Sequence, residues 1–302
     1  MKKNKKYDLM DPKIDFAFKQ IFAGKFKESK IVLIDLLNSI LGFEETVKIT
    51  DILYLNPYTD KEYEESKQSI LDIKVKTNKE ELIDIEIQIR NSDNYRKRSL
   101  YYWSTIYGEQ IVEGEAYNEL KRCIVINILN FNLITENEHY HSIFNVREKN
   151  KNFALNHDLE IHYLELKKFL KSTGEEKFTG LEQWLIFLKD SGNENKREII
   201  NQIRKENEVI DMAGEILEKL SQDEKARAIY QQRRKWYLDK VSSEKYFLSK
   251  GREEGIKEGI KEGELKGKRD IAKKLISLGI EIDKIEEATK LSRAEIEEIA
   301  KE

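Results

Sequence analysis

The sequence predicts a mixed α/β core followed by an all-helical C-terminal region. Two neighbouring segments, 70–76 and 82–90, alternate strictly between apolar and polar residues, which is the pattern of half-buried strands. The run Cys-Ile-Val-Ile-Asn-Ile-Leu at 123–129 is almost continuously apolar, as expected of a central buried strand. Both prolines of the 302-residue chain lie in its N-terminal third, and beyond about residue 171 the pattern is helical.

Two helices are expected before the hairpin. Asp11 and Pro12 suit the N-cap and the first helical position, and the helix they start is expected to end near Gly24. It carries an apolar stripe made of Phe16, Phe18, Ile21 and Phe22. A second helix is expected at 28–41, and a first strand at 47–56.

The remaining elements follow in order along the chain. A helix is expected at 94–114, strands at 123–129, 141–147 and 158–165, helices at 181–189, 196–220 and 223–241, and short helices at 282–290 and 293–301. This order divides the chain into an α/β domain at 1–170, a helical region at 171–250 and a C-terminal segment at 251–302. Strands and helices in this order predict a mixed sheet covered by helices.

Composition limits the class of protein. Charged residues make up 37% and hydrophobic residues 39%, which is enough apolar material for a folded core. The single Cys123 excludes a disulfide framework and zinc spacing, and predicts a reducing, intracellular location. No segment approaches the roughly 20 apolar residues of a membrane span, so a soluble, cytoplasmic protein is expected.

Charge is distributed unevenly along the chain. The net charge of −3 argues against the strongly basic surface of a constitutive nucleic-acid binder. Residues 1–30 nevertheless contain nine lysines, and such an arm is suited to contact phosphates. A solvated tail beside a polar helix is an equally good interpretation.

The predicted hairpin carries the candidate chemistry. A three-residue loop at 78–80 places Asp72 directly opposite Glu86, with Cβ atoms about 5 Å apart and Gln88 one step along the same face. Two carboxylates so placed repel each other unless a cation lies between them. Mg²⁺ binds through one or two carboxylates, water and substrate phosphate, so the pattern points to a metal site and phosphate chemistry.

A simpler interpretation of the same residues stays open at this point. Alternating charged residues often form only the solvated face of a sheet. Lys74 and Arg90 could neutralise the two acids without any metal.

Four segments carry a resemblance to a known family. They are Leu-Met-Asp-Pro-Lys-Ile-Asp-Phe-Ala-Phe-Lys-Gln-Ile-Phe at 9–22, Ile-Leu-Asp-Ile-Lys-Val-Lys at 70–76, Ile-Asp-Ile-Glu-Ile-Gln at 83–88 and Arg-Lys-Arg-Ser-Leu-Tyr-Tyr-Trp-Ser at 96–104. Over about residues 8–165 the chain resembles the recombination-promoting nuclease/putative transposase (Rpn) family of the PD-(D/E)xK superfamily. The resemblance implies a mixed-sheet PD-(D/E)xK nuclease core (αβββαβ-like) at 1–170.

The same resemblance implies a function and a set of site residues. It implies a metal-dependent DNA endonuclease associated with recombination or mobile elements, using Mg²⁺ or alternatively Mn²⁺. Asp72 and Glu86 take the positions of metal ligands, with the Ile87 carbonyl as a third. Asp15 enters from the first helix, and Gln88 stands where the superfamily more often has lysine. A neutral Gln can only orient water by hydrogen bonds, so slow turnover is expected.

Three cations are candidates for DNA contact. Lys19 lies one helical turn after Asp15, and Arg96 and Arg98 lie among aromatic residues at the start of a helix. The alternatives are a surface ion pair between Lys19 and Asp15, and ordinary solvated arginines. The four histidines and Cys123 are interpreted as structural residues.

Glycines recur at every fourth position near the C-terminus, at Gly251, Gly255, Gly259, Gly263 and Gly267. On a helix they favour close approach of a second helix, which predicts a homo-oligomer with coiled-coil-like pairing. A flexible linker is the alternative. Two rival functions also remain: a catalytically weak nucleic-acid-binding module, and a helical assembly protein with a relic nuclease fold.

Overall fold

The computed structural model describes residues 8–55, 72–91, 94–170 and 177–301. Of Asp72 it describes the backbone alone. The predicted end of the first strand at residue 56 and the predicted start of the second at 70 lie outside the described residues.

The described strands form one mixed sheet with the order β1-β2-β3-β4-β6-β5. Strands β1, β2 and β3 are antiparallel, β3, β4 and β6 are parallel, and β5 runs antiparallel to β6 at the edge. The bounds are β1 Ile52–Tyr54, β2 Asp72–Thr77, β3 Leu82–Gln88, β4 Cys123–Leu129, β5 His141–Phe144 and β6 Leu159–Glu165. The predicted mixed α/β architecture is confirmed.

Nine α-helices occur among the described residues. They are α1 Asp15–Ala23, α2 Ser29–Leu41, α3 Tyr95–Gly108, α4 Gly180–Asp190, α5 Arg197–Glu206, α6 Glu208–Gln222, α7 Glu224–Ser277, α8 Ile282–Thr289 and α9 Arg293–Ile299. No helix in the described ranges is long and apolar enough to cross a membrane.

The β2–β3 hairpin has the predicted register. Asp72 pairs with Glu86, and Lys76 with Leu82, across a loop at 78–80. The amide of Thr77 donates to the carbonyl of Glu81 at 2.9 Å, and Glu80 has a φ of 65°. A left-handed residue at the end of a three-residue loop is a common way to close such a hairpin. The even-numbered residues of both strands therefore share one face of the sheet.

The start of the first helix was predicted wrongly. Helix α1 begins at Asp15, after a turn in which the amide of Ile14 donates to the Asp11 carbonyl at 3.1 Å. The amide of Asp11 itself donates to the hydroxyl of Tyr230 at 2.9 Å, and the amide of Met10 to Ser221 Oγ at 2.9 Å. These distant contacts hold the segment before α1 in a non-helical conformation, so the local capping preference is overridden.

The helix predicted at 196–220 is two helices. Asn207 has an extended backbone that ends α5, and its side chain accepts from the amides of Val209 and Ile210 to cap α6. The helix predicted at 223–241 is longer than expected, because α7 continues through the glycine ladder to Ser277. In this structure the ladder is helical, which contradicts the flexible-linker interpretation. Helix α3 ends at Gly108 rather than at 114. The first strand, predicted at 47–56, is shorter than expected, because β1 covers Ile52–Tyr54.

Helix α3 packs against the face of the sheet that carries the even-numbered residues of β3. The cluster beneath it contains Tyr95, Val125, Leu129, Phe131, Ile134, Ile161 and Tyr163. The other face presents the buried side chains of Ile83, Ile85 and Ile87. Both faces of the central strands are therefore covered, as parallel strands require.

Trp184 joins the later helices to the first two. This side chain is fully buried on α4, and its ring centroid lies 5.6 Å from that of Phe22 on α1. Its Nε1 donates to Asp35 Oδ2 on α2 at 2.7 Å. Helices α4 and α6 also pack against α2, and α1 contacts β3. The helical region after the sheet thus packs on α1 and α2, and α1 contacts the sheet.

The described residues up to Arg234 form one compact unit, and those from Lys235 form a second. Within the second unit a small apolar cluster consists of Ala272, Ile285, Leu291, Ile296 and Ile299. The division of the sequence at residues 170 and 250 stays a prediction.

His162 on β6 is fully buried, and its two ring nitrogens have partners. Nδ1 lies 2.9 Å from His141 Nε2, and Nε2 lies 2.7 Å from Glu160 Oε1. Burial lowers the pKa of His141 to about 4, so this imidazole is neutral near neutral pH. Burial opposes ionisation of Glu160, but hydrogen bonds from His162 and Arg122 bring its pKa to about 2. The other two histidines are exposed.

Candidate functional site

The polar face of β3 is buried rather than solvated. The exposed fractions of Asp84, Glu86 and Gln88 are 1%, 2% and 9%. Carboxylates are rarely so buried unless a charge or hydrogen bonds compensate them. The solvated-face interpretation of this strand is therefore wrong.

The two acids of β3 differ in their cross-strand neighbours. Asp84 pairs in register with Lys74, an opposite charge. Glu86 pairs in register with Asp72, a like charge. At position 86, two acidic residues are thus paired in register, and like charges so placed favour a cation between them.

Two side chains of α3 contact the Glu86 carboxylate. The Tyr95 hydroxyl lies 3.1 Å from Oε2, and Arg98 Nη2 lies 3.3 Å from both oxygens. Burial, followed by the charge on Glu86, raises the pKa of Tyr95 well above its usual value, so the phenol keeps its proton and can donate. Arg98 provides a positive charge beside Glu86 in this state.

Asn127 on β4 is a polar residue of the site that was not predicted from the sequence. This side chain is 1% exposed and pairs in register with Glu86. Its Oδ1 accepts from Ser99 Oγ at 3.1 Å and lies 3.1 Å from the Tyr95 hydroxyl, while its Nδ2 donates to the His162 carbonyl at 3.1 Å. Asn127 therefore fixes Tyr95, which in turn contacts Glu86. The sequence signal that could have identified Asn127 is that it is a single polar residue inside an apolar central strand.

Gln88 follows Glu86 on the same face and has an unused donor. Its Nε2 is buried and has no hydrogen-bond partner among the described residues. A buried amide donor without a partner is costly. Such a donor next to two acidic residues suits a bound water or a phosphate oxygen.

Asp15 and Lys19 are both buried on α1, with 2% and 5% of their surface exposed. Asp15 is the first residue of the helix, and its Oδ1 accepts from the amide of Phe16 at 2.8 Å. Helix α1 contacts β3, the strand of Glu86 and Gln88. The structure thus buries the predicted acid and the predicted cation of this helix in the sheet-containing unit.

The predicted DNA contacts on α3 are engaged within the protein. Arg96 makes a two-point ion pair with Glu136, with both N–O distances 2.7 Å, and donates to the Leu133 carbonyl at 2.9 Å. Arg98 pairs with Glu86 and donates through Nε to the Tyr102 hydroxyl at 3.0 Å. Their contact with DNA stays a prediction.

The donor set at the hairpin fits a hard divalent cation. The ligands predicted from the sequence, Asp72, Glu86 and the Ile87 carbonyl, would all offer oxygen atoms, which Mg²⁺ and Mn²⁺ prefer. Within the described side chains, which do not include that of Asp72, no group of three His, Cys, Asp or Glu residues could hold a metal ion. The fit therefore rests on the register of the two acids and on the burial of Glu86.

Comparison with models of protein families gives a match over most of the chain. A model described as "PD-(D/E)XK nuclease family transposase" matches residues 12–246, which is most of the chain. Comparison with the curated proteins and with the solved structures finds no match. The matched range includes the hairpin, α3 and the helices up to the first part of α7.

Proposed function

We propose that this chain, which belongs to the PD-(D/E)XK nuclease family transposases, is a metal-dependent DNA endonuclease. Nucleases of this superfamily generally use divalent metal ions, and DNA is the substrate that the family implies. The proposed reaction is hydrolysis of phosphodiester bonds with Mg²⁺ or Mn²⁺ in the cytoplasm, in recombination or the movement of mobile elements.

The arrangement of residues around Glu86 on the β2–β3 hairpin is the observation that supports the proposal. Glu86 is buried on the hairpin with Asp72 opposite it in register, and Gln88 beside it has an unpartnered buried amide. A purely structural sheet face would place opposite charges across the strands, as the neighbouring pair of Lys74 and Asp84 does. Two facing acids next to an unused donor are better explained by a site for a cation and a phosphate.

Each site residue has a separate role in this proposal. Asp72, Glu86 and the Ile87 carbonyl hold the metal, and Asp15 supports the site from α1. Tyr95 holds the Glu86 carboxylate by its hydroxyl, and Asn127 holds Tyr95. The Gln88 amide orients the attacking water, which it cannot deprotonate. A bound divalent metal would supply acidification of water and charge stabilisation at the phosphate.

Cleavage of supercoiled plasmid tests this function. We expect the purified chain to convert supercoiled DNA to the nicked form with Mg²⁺ or Mn²⁺, and to stop when a chelator is added. The rate is expected to be slow because Gln88 replaces a cationic residue. No cleavage with either metal would favour a nucleic-acid-binding or assembly role, and cleavage in excess chelator would rule out metal dependence.

We also propose that the protein forms a homo-oligomer through α7. A Cβ added at any of the five ladder glycines would meet nothing within 4 Å among the described residues. Ile256, Ile260 and Leu265 on the same stretch of helix are about half exposed. A helix that is rich in glycine and exposes isoleucine at this spacing gains stability by pairing with a second copy.

Light scattering of two variants tests the pairing. Glycine weakens a helix, and a Cβ added at Gly259 would lie in open space. Gly259→Ala is therefore expected to stabilise an isolated helix by about 1 kcal/mol. Gly259→Leu places a larger side chain on the contact face. We expect wild type to have a multiple of the chain mass, and Gly259→Leu to shift towards the 35.8 kDa of one chain. A wild-type protein of single-chain mass at micromolar concentration would contradict the proposal.

A further inference from the structure

Arg98 and Glu86, which form an ion pair, differ in how far their side chains are exposed to solvent. The Glu86 side chain is 3% exposed and fixed in the central sheet, whereas the Arg98 side chain is 31% exposed. A single nitrogen, Nη2, lies 3.3 Å from both carboxylate oxygens. Strong charge-assisted pairs have two parallel bonds of about 2.7–2.9 Å. This contact is therefore long and does not use the guanidinium fork.

Arg98 is also held at the site edge by contacts that do not involve Glu86. Its guanidinium carbon lies 5.0 Å from the centroid of Tyr102 and 5.6 Å from that of Tyr95, and its Nε donates to the Tyr102 hydroxyl. Cation–π contacts and this hydrogen bond would hold the guanidinium at the edge of the site if it moved away from Glu86.

A buried carboxylate facing another acidic residue needs a positive charge. In this structure an ion pair with Arg98 brings a positive charge to Glu86. A divalent cation held by Glu86 would carry twice the charge of Arg98 and would bind through the same carboxylate group. The two cations would compete for the same carboxylate oxygens.

We propose that Arg98 is an internal counter-ion of Glu86 that the metal displaces. The inference rests on the proposed function, because it takes Glu86 as a metal ligand. Before metal binds, Arg98 compensates the buried carboxylate and thereby weakens the affinity for metal. After metal binds, the guanidinium stays between Tyr95 and Tyr102 with its donors available to a substrate phosphate. Metal loading and exposure of a phosphate-binding arginine are then coupled.

Calorimetric titration of the full chain with Mn²⁺ tests the competition without depending on cleavage. Arg98→Met keeps an unbranched side chain against the two tyrosines but removes the charge. Lys97→Met is the matched control, because it removes a charge from the adjacent, exposed position of α3. Glu86→Gln removes the carboxylate. We expect Arg98→Met to lower the dissociation constant about tenfold, in line with loss of one charge-assisted contact, Lys97→Met to change it less than twofold, and Glu86→Gln to abolish binding.

The other outcomes overturn the inference in distinguishable ways. Unchanged or weaker binding by Arg98→Met, with wild-type binding that needs Glu86, would mean that Arg98 does not compete and would leave the metal site standing. Equal tightening by Lys97→Met would reduce the effect to the general field of the helix. No Mn²⁺ binding by wild type or by any variant would overturn the metal site, and the inference with it.

Discussion

Glu86→Gln is expected to abolish metal-dependent DNA cleavage while leaving the fold intact. Gln has nearly the same shape and can still accept from Tyr95, but it lacks the charge that a divalent cation requires. Loss of residues that only orient metal ligands typically costs about 10–100-fold, so loss of the ligand itself is expected to cost at least about 100-fold. Plasmid-nicking rates at saturating Mg²⁺ measure the effect, and circular dichroism checks the fold.

Glu215→Gln is the matched control for this experiment. Glu215 is exposed on α6, where its ion pair with Lys219 is a surface i,i+4 contact. Such pairs contribute only about 0.3–0.5 kcal/mol. We expect wild-type cleavage from this variant. Undiminished cleavage by Glu86→Gln would place the active site elsewhere or reveal a contaminating nuclease.

Trp184→Ala is expected to destabilise the first unit by about 3–5 kcal/mol, the range for removing a fully buried tryptophan. The change opens a cavity beside Phe22 and leaves Asp35 without its indole donor. Because α1 carries Asp15, the loss would also loosen the element that supports the proposed site. Urea unfolding monitored by circular dichroism measures the free energy of unfolding.

Trp236→Ala is the control for the loss of an indole. Trp236 lies on α7 with 48% of its surface exposed, so its removal is expected to change the free energy of unfolding by less than about 1 kcal/mol. A similar, small change for Trp184→Ala would mean that α4 contributes little to the stability of the sheet-containing unit.

The hairpin could be predicted from sequence because its constraints are local. A strand has a side-chain period of two, so only registers that pair even with even numbers bring the two apolar faces together. The short loop then selects the register of Asp72 with Glu86, which the structure confirms. Strand β4 could be predicted to the residue for a similar reason, since its apolar run is bounded by charged and polar residues.

The burial of Glu86 could not be predicted, because it depends on a helix that packs over the strand. Tyr95 and Arg98 are 9 and 12 residues away in sequence, and Asn127 is on another strand. The start of α1 was wrong for the same physical reason. Its preceding segment is held by Ser221 and Tyr230, more than 200 residues away. The break at Asn207, by contrast, could have been found from the preference of Asn for N-caps.

Iron-directed cleavage of the protein would show where on the chain the metal binds. Fe²⁺ accepts the same oxygen ligands as Mn²⁺ and binds more tightly. With ascorbate and peroxide it produces hydroxyl radicals that cut the chain close to where it is bound. We predict cuts beside Asp72 and Glu86 that excess Mg²⁺ suppresses and that disappear in Glu86→Gln. Cuts confined to another part of the chain, at protein concentrations that nick DNA, would contradict a metal site at the β2–β3 hairpin.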